Sequence, residues 1–286
     1  MLFRSRGASV PSQEYPERAR STIPGPFRFV THEARTNPGA FPLAGPWASD
    51  YPRGLVNSGL ALLRGRLDSV RTRMAKAMER AGRAPDGVRL VAVVKTVPLG
   101  LVAEAVALGV TDLGEARVQE AEARIAALGR HVARWHLIGH LQRNKAGKAA
   151  QLFDRIHSVD SIELAGALSA RTAGAGPGLR VLVEVNISGE PSKHGVAPEG
   201  AAVLVEAVAG LPGLALDGLM TVGVRVERPD DARQGFAKLR VLRETIEARA
   251  GLRLPELSMG MSGDFEAAIA EGSTMVRVGT ALFGPG

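Results

Sequence analysis

Eight short, largely apolar runs are spaced along residues 90–278, and a span of helical period separates each from the next. The runs lie at 90–94, 110–113, 134–138, 155–159, 179–187, 214–219, 254–257 and 274–278. The spans between them, at 99–108, 118–128, 145–152, 161–173, 198–209, 229–250 and 265–271, read as helices. A strand that rejoins its sheet in parallel needs a crossover, which a helix supplies. Eight such units close naturally into a (β/α)8 TIM barrel, with an open doubly wound sheet as the alternative. One more helix is predicted over 55–81, where Leu55, Leu62, Leu63, Leu67, Val70, Met74 and Met78 recur at threes, fours and sevens. It precedes the first strand, so it can stand beside the last one, where a final helix would otherwise sit. The expected class is therefore α/β, a single barrel with an extra N-terminal helix.

Composition narrows what such a barrel could do. Cysteine is absent, which excludes disulfides, thiolate metal sites and a Cys nucleophile, and fits a reducing cytoplasm. The net charge of +7 is spread along the chain rather than gathered into basic runs, giving general attraction for anions instead of a nucleic-acid footprint. No apolar run approaches the length of a membrane span. Residues 1–54 differ in kind. They hold 8 of the 17 prolines and 7 of the 12 aromatics, show no period, and place Arg4 and Arg6 ahead of no apolar stretch that a secretory signal would need. The expected organisation is a disordered extension over 1–54 and one domain over 55–286.

In such barrels the chemistry sits on loops at the strand C-termini, with phosphate often bound after strands seven and eight. The first run, Leu90-Val91-Ala92-Val93-Val94, ends in Lys95, followed by Thr96, Val97 and Pro98. A lysine at the mouth of a buried strand would be partly desolvated, which lowers its pKa and suits it to Schiff-base chemistry. The alternative is a first polar residue after a strand, its stem reaching to water. After the seventh run comes Gly260-Met261-Ser262-Gly263, which opens a helix and could cradle an anion with its amides and hydroxyl. After the eighth comes Gly279-Thr280, where glycine lets the backbone approach an oxygen. Arg277, inside the last run, either faces the mouth beside that anion or points outward. A lysine, a phosphate cradle and an arginine suit pyridoxal phosphate. A Schiff-base aldolase would show the same lysine and loops.

Longer motifs carry a resemblance. Leu-Val-Ala-Val-Val-Lys-Thr (90–96), Gly-Glu-Ala-Arg-Val-Gln-Glu (114–120), Trp-His-Leu-Ile-Gly-His-Leu-Gln-Arg-Asn-Lys (135–145) and His-Ser-Val-Asp-Ser (157–161) come first. Val-Asn-Ile-Ser-Gly-Glu-Pro-Ser-Lys-His-Gly (185–195), Gly-Leu-Met-Thr-Val-Gly (218–223), Leu-Ser-Met-Gly-Met-Ser-Gly-Asp (257–264) and Val-Arg-Val-Gly-Thr-Ala-Leu-Phe-Gly (276–284) follow. In order and spacing, over residues 55–286, these resemble the YggS/PROSC family of pyridoxal-phosphate homeostasis proteins. The resemblance implies a barrel like the N-terminal domain of alanine racemase. It also implies that Lys95 carries the aldimine, that Ser262, Gly279 and Thr280 hold the phosphate, and that Arg277 faces the pyridine nitrogen. Met220, Ser258, Met259 and Gly260 would line the pocket. One position departs: the family usually has Asn where this chain has Ala116, so a contact to the cofactor ring is expected to be lost.

Whether such a protein catalyses depends on a second acid/base, since racemisation removes a proton from one face and returns it on the other. In alanine racemase that group is a tyrosine from a separate domain of the partner subunit. Here the last run ends close to Gly286, and no tyrosine follows Tyr51. An arginine at the pyridine nitrogen would also weaken the ring as an electron sink. Histidines at strand ends, His140, His157 and His194, remain candidate bases, though such residues are commonly just solvated. The expectation is a cytoplasmic, monomeric pyridoxal 5'-phosphate carrier in vitamin B6 homeostasis, without efficient catalysis. Partners would be the cofactor and the apoenzymes that need it, with no nucleic acid and no membrane. The alternative is a low-activity racemase dependent on pyridoxal phosphate.

Overall fold

The structure, a computed structural model, describes residues 53–174, 176–223 and 229–285. Chain order is α1 (Arg53–Arg80), β1 (Arg89–Val93), α2 (Leu99–Ala107), β2 (Asp112–Glu115), α3 (Val118–Leu128), β3 (Arg134–Leu137), a 3-10 turn (Arg143–Lys145) and α4 (Ala146–Leu152). It continues with β4 (Arg155–Val159), α5 (Ile162–Thr172), β5 (Leu179–Glu184), α6 (Pro198–Ala209), β6 (Leu214–Met220) and α7 (Pro229–Ala250). It ends with β7 (Glu256–Met261), α8 (Phe265–Ala270), β8 (Met275–Val278) and α9 (Thr280–Phe283). The strands form a closed parallel barrel in sequence order, sealed where Leu90 pairs with Val276 and Ala92 with Val278. The expected TIM barrel is present. The expectation for residues 1–54 falls outside the described residues, except that Arg53 and Gly54 already belong to α1.

Helix α1 takes the place foreseen for it, packing on α8, α9 and α2. Leu63, Leu67, Val70, Met74 and Met78 are buried there at helical spacing, while Leu62 turns outward and is 54% exposed. Arg73 pins the contact from above, 4.5 Å over the Phe265 ring and ion-paired to Glu266 at 2.6 Å. Most of the core lies between the strands and this helical ring. A separate small cluster, Val91, Leu182, Met220 and Met275, comes from four strands and fills the middle of the barrel lumen. Below it, at the N-terminal ends of the strands, the lumen is floored by ions. Arg155 pairs with Asp217 (2.8 Å) and Glu256 (3.2 Å), Arg180 with Asp217 (2.6 Å), Arg89 with Glu256 (3.1 Å) and Arg134 with Asp112 (2.6 Å). Each buried charge of this floor thus has at least one opposite neighbour, as burial demands.

Three strands differ most from expectation. β7 runs to Met261 rather than stopping near residue 257, so Ser258, Met259 and Gly260 lie on the strand. β2 lies at 112–115 rather than 110–113, because Gly114 and Glu115 look like loop residues yet are buried. β5 ends at Glu184, after which Asn186 and Val196 bond to each other instead of extending the ladder.

Candidate functional site

The mouth of the barrel is built from the residues that follow each strand. After β1 the chain makes a turn closed by the Val97 amide donating to the Val94 carbonyl at 3.1 Å. Lys95 and Thr96 are its central residues, and both are exposed. The lysine is therefore not desolvated, contrary to the sequence expectation. The strand stops two residues earlier, at Val93, and the turn lifts the side chain to the rim. Thr96 has φ +61°, a left-handed backbone that β-branched residues rarely adopt, and its hydroxyl donates to the Lys95 carbonyl at 2.6 Å. Such a conformation costs about 1–3 kcal/mol and persists only where the surroundings enforce it. Lys95 and Thr96 share a cavity of about 190 Å³ with Val93, Gly279, Thr280 and Phe283.

The loops after β7 and β8 meet at Ser262. Its Oγ accepts from the amides of Gly279 and Ala281, at 3.2 Å each. These amides, rather than those opening α8, are the ones that converge. Asp264 precedes α8 without capping it, and its Oδ1 accepts instead from the Met261 amide at 2.6 Å. Of the Gly260–Gly263 amides expected to cradle an anion, that of Met261 is thus occupied, while the Ser262 hydroxyl meets the loop after β8. Gly260 has φ +93°, and a Cβ there would lie 2.6 Å from the Ala268 Cβ, so β7 can pass α8 only with glycine.

Behind this rim stands a column of buried polar groups. Arg277 points into the lumen, 4% exposed, and donates to Ser258 Oγ at 2.6 Å and to the Thr221 carbonyl at 2.8 Å. Ser258 Oγ lies 2.9 Å from His157 Nδ1, His157 Nε2 lies 2.9 Å from His136 Nδ1, and His136 Nε2 lies 2.9 Å from Asp112 Oδ1. Hydrogen bonds from His136, Arg134 and Thr111 hold the Asp112 carboxyl well below the usual carboxylate range, against the opposing effect of its burial. Burial pushes both histidines down, His157 further because His136 and Arg277 are near, so both are neutral at pH 7. An anionic Asp112 accepts only, so His136 Nε2 carries the proton and its Nδ1 accepts. It follows that His157 donates from Nε2 and that Ser258 donates to His157 Nδ1 while accepting from Arg277. Burial lowers the Arg277 guanidinium to about 10, offset by Glu184 and Asp264, so it stays charged at neutral pH.

Of the residues singled out in the sequence, Lys95, Ser262, Gly279 and Thr280 meet at the rim, and Arg277 and Ser258 meet beneath it. Met220 lies a layer lower, in the lumen cluster. Met259 does not face the mouth: Ser258 turns inward to Arg277, whereas Met259 belongs to the barrel–helix core and a Cβ on Gly260 would face α8. His157 is not a loop histidine but a member of the column, and His140 and His194 stand at the rim beside Asp160. Ala116 follows β2, and its carbonyl would be 2.3 Å from a Cβ on Gly139, which locks the turns after β2 and β3 together.

Sequence reasoning missed Glu184, His136 and Asp112. Glu184 ends β5, 5% exposed, with Oε2 lacking a hydrogen-bond partner. Burial, with Asp160 adding, pushes it up to about 7. The available signal was polar residues two apart on otherwise buried strands, as at Arg155 and His157 or Glu256 and Ser258.

Comparison with known proteins places this geometry. A family model for the alanine racemase N-terminal domain matches residues 66–285. The pyridoxal phosphate homeostasis protein of Pseudomonas aeruginosa is 45% identical over 215 residues, 75% of this chain and 92% of that one. The chain belongs to this family. A solved member, PipY from Synechococcus elongatus, superposes with TM-score 0.70 without PLP (38% identical) and 0.68 with PLP bound (36%). In both comparisons 78% of this chain covers the whole of PipY. Alanine racemase from Corynebacterium glutamicum, 18% identical with TM-score 0.55 over 76% of this chain and 60% of its own, shares the fold. Family membership, the alanine-racemase-like barrel and the motif reading of residues 55–286 thus agree.

Proposed function

We propose that this chain holds pyridoxal phosphate at the barrel mouth and takes part in intracellular vitamin B6 homeostasis without efficient catalysis. The observation that carries the reading is one cavity lined by a primary amine, Lys95, together with Gly279 and Thr280 from the neighbouring strand end. The residues fit the group. The Gly279 and Ala281 amides already converge on one oxygen, Ser262 Oγ, and a Cβ on Gly279 would press within 3.4 Å of Val93. Ser262, Gly279 and Thr280 would hold the phosphate, Arg277 would face the ring nitrogen, and Ser258, Gly260 and Met220 would shape the floor. Met259 would take part through its backbone alone. The names of the relatives, and PipY with PLP bound, support the same reading.

When bound, the cofactor supplies an electrophilic aldehyde that condenses reversibly with a primary amine. Lys95 provides the amine, and the turn at Thr96 fixes its height at the rim. Arg277 offers only donors, two of them held by Ser258 and Thr221, and would leave a ring nitrogen placed against it without a proton. That limits electron withdrawal and favours storage over turnover. Recipients would be apoenzymes that need the cofactor, and the carrier would work as a cytoplasmic monomer. A second reading, a low-activity racemase, is favoured by Glu184, a buried carboxyl whose Oε2 lacks a hydrogen-bond partner and which is pushed up to about 7.

The test is borohydride reduction of the loaded full-length chain, followed by peptide mapping. The label is expected on the peptide carrying Lys95 and is lost, with the cofactor's long-wavelength absorbance, in Lys95→Ala. A label elsewhere sinks the proposal. Exchange of α-deuterium from alanine, abolished in Glu184→Gln, would move the balance to the second reading.

A further inference from the structure

Three loops at the barrel rim, after β3, β4 and β5, bring His140, Asp160 and His194 together. One nitrogen from each histidine and one carboxylate oxygen lie within 4.8 Å of one another. We propose that these three side chains form a site for a divalent transition-metal ion of the zinc type, distinct from the cofactor site. Two imidazoles and one carboxylate are a donor set that such ions favour over calcium or magnesium.

The distances suit it. Around a tetrahedral ion with bonds of about 2.0–2.2 Å, neighbouring donor atoms stand about 3.3–3.6 Å apart. His140 Nδ1 and Asp160 Oδ2 are 3.3 Å apart. The imidazoles of His140 and His194 stack at 3.9 Å between centroids with planes 10° apart. His194 is exposed, so its ring has room to turn toward the ion.

Neighbouring groups hold the ligands in position. Ser161 Oγ donates to Asp160 Oδ1 at 3.2 Å, leaving Oδ2 to the ion. His194 lies between two fixed points. Lys193 Nζ donates to Glu190 at 2.8 Å and to the Gly223 carbonyl at 3.1 Å. Gly195, at φ +109°, runs so close to Asn186 that a Cβ would fall 2.7 Å from its amide nitrogen. Supporting contacts of this kind orient ligands and raise metal affinity. Three protein ligands leave one position open, as in sites that take water or an anionic oxygen.

The full-length chain, stripped with chelator and free of pyridoxal phosphate, is titrated with Zn²⁺ against a chromophoric chelator and separately with Co²⁺. Expected are one ion per chain and visible d–d bands with Co²⁺. His194→Ala and Asp160→Asn should each weaken binding by about tenfold or more, with circular dichroism unchanged. His131→Ala, an exposed histidine elsewhere, should bind as wild type. Lys95→Ala should also bind zinc as wild type, so this result stands or falls apart from the cofactor proposal. Absence of one-to-one binding, or wild-type affinity in His194→Ala, overturns the site and leaves an ion pair with a stacked ring.

Discussion

Neither His136 nor His157 reaches water, and a proton on either would add a cation to a lumen that already holds Arg277. Neutral rings joined through one hydrogen each resolve this, and Asp112 sets which nitrogen donates. Glu184 poses the opposite problem: a carboxyl with no donor on Oε2, held protonated until about pH 7. Its folded pKa lies above its unfolded one, so its contribution is full below pH 4.5 and is lost as pH rises to about 7. Replacing it with Gln removes that loss. Glu184→Gln should gain stability over wild type by about 1.4 kcal/mol per pH unit between those limits, read as diverging urea midpoints at pH 5 and pH 8. Equal differences at both pH values would show that the carboxyl is solvated.

Among the elements, the match between sequence and structure is uneven for identifiable reasons. The spans at 155–159, 198–209 and 229–250 have the foreseen limits, because apolar period, Pro at a helix start and Gly after the end mark them. β7 was cut short in the sequence reading because Gly260 looks like a loop residue, whereas its positive φ and its closeness to Ala268 serve a strand passing a helix. The site divides in the same way. Lys95, Ser262, Gly279, Thr280 and Arg277 could be named from strand ends and motifs. The His136–His157 contact could not, because it depends on the register between β3 and β4, which alternation within one strand does not set. Gly260→Ala tests the element. Left-handed strain of about 1–2 kcal/mol and overpacking of about 1–3 kcal/mol should lower unfolding free energy by their sum, and cofactor uptake should fall with the displaced Ser262. A variant as stable as wild type would mean that α8 yields.

Over the whole molecule, stability and binding occupy opposite ends of one barrel. The ion pairs at the floor hold the strands' N-termini, while the rim loops line the proposed cofactor and metal sites. Arg155→Leu should therefore be a purely structural lesion. Removing one partner of a buried pair costs about 3–5 kcal/mol, here nearer the lower value because Asp217 keeps Arg180 and Glu256 keeps Arg89. Denaturation should show that loss, while the spectrum and affinity of bound pyridoxal phosphate under native conditions stay as in wild type. A changed affinity would reveal coupling along the lumen.

The polar column that links those two ends also has a clock in it. Its imidazole hydrogens, one on Nε2 of each of two rings, are walled in by strands and capped by ions. In proton spectra of the nitrogen-15-labelled chain they should appear as two sharp downfield resonances. In heavy water these signals should fade over hours rather than milliseconds, outlasting those of every exposed histidine, so that their lifetimes report how often the whole barrel breathes.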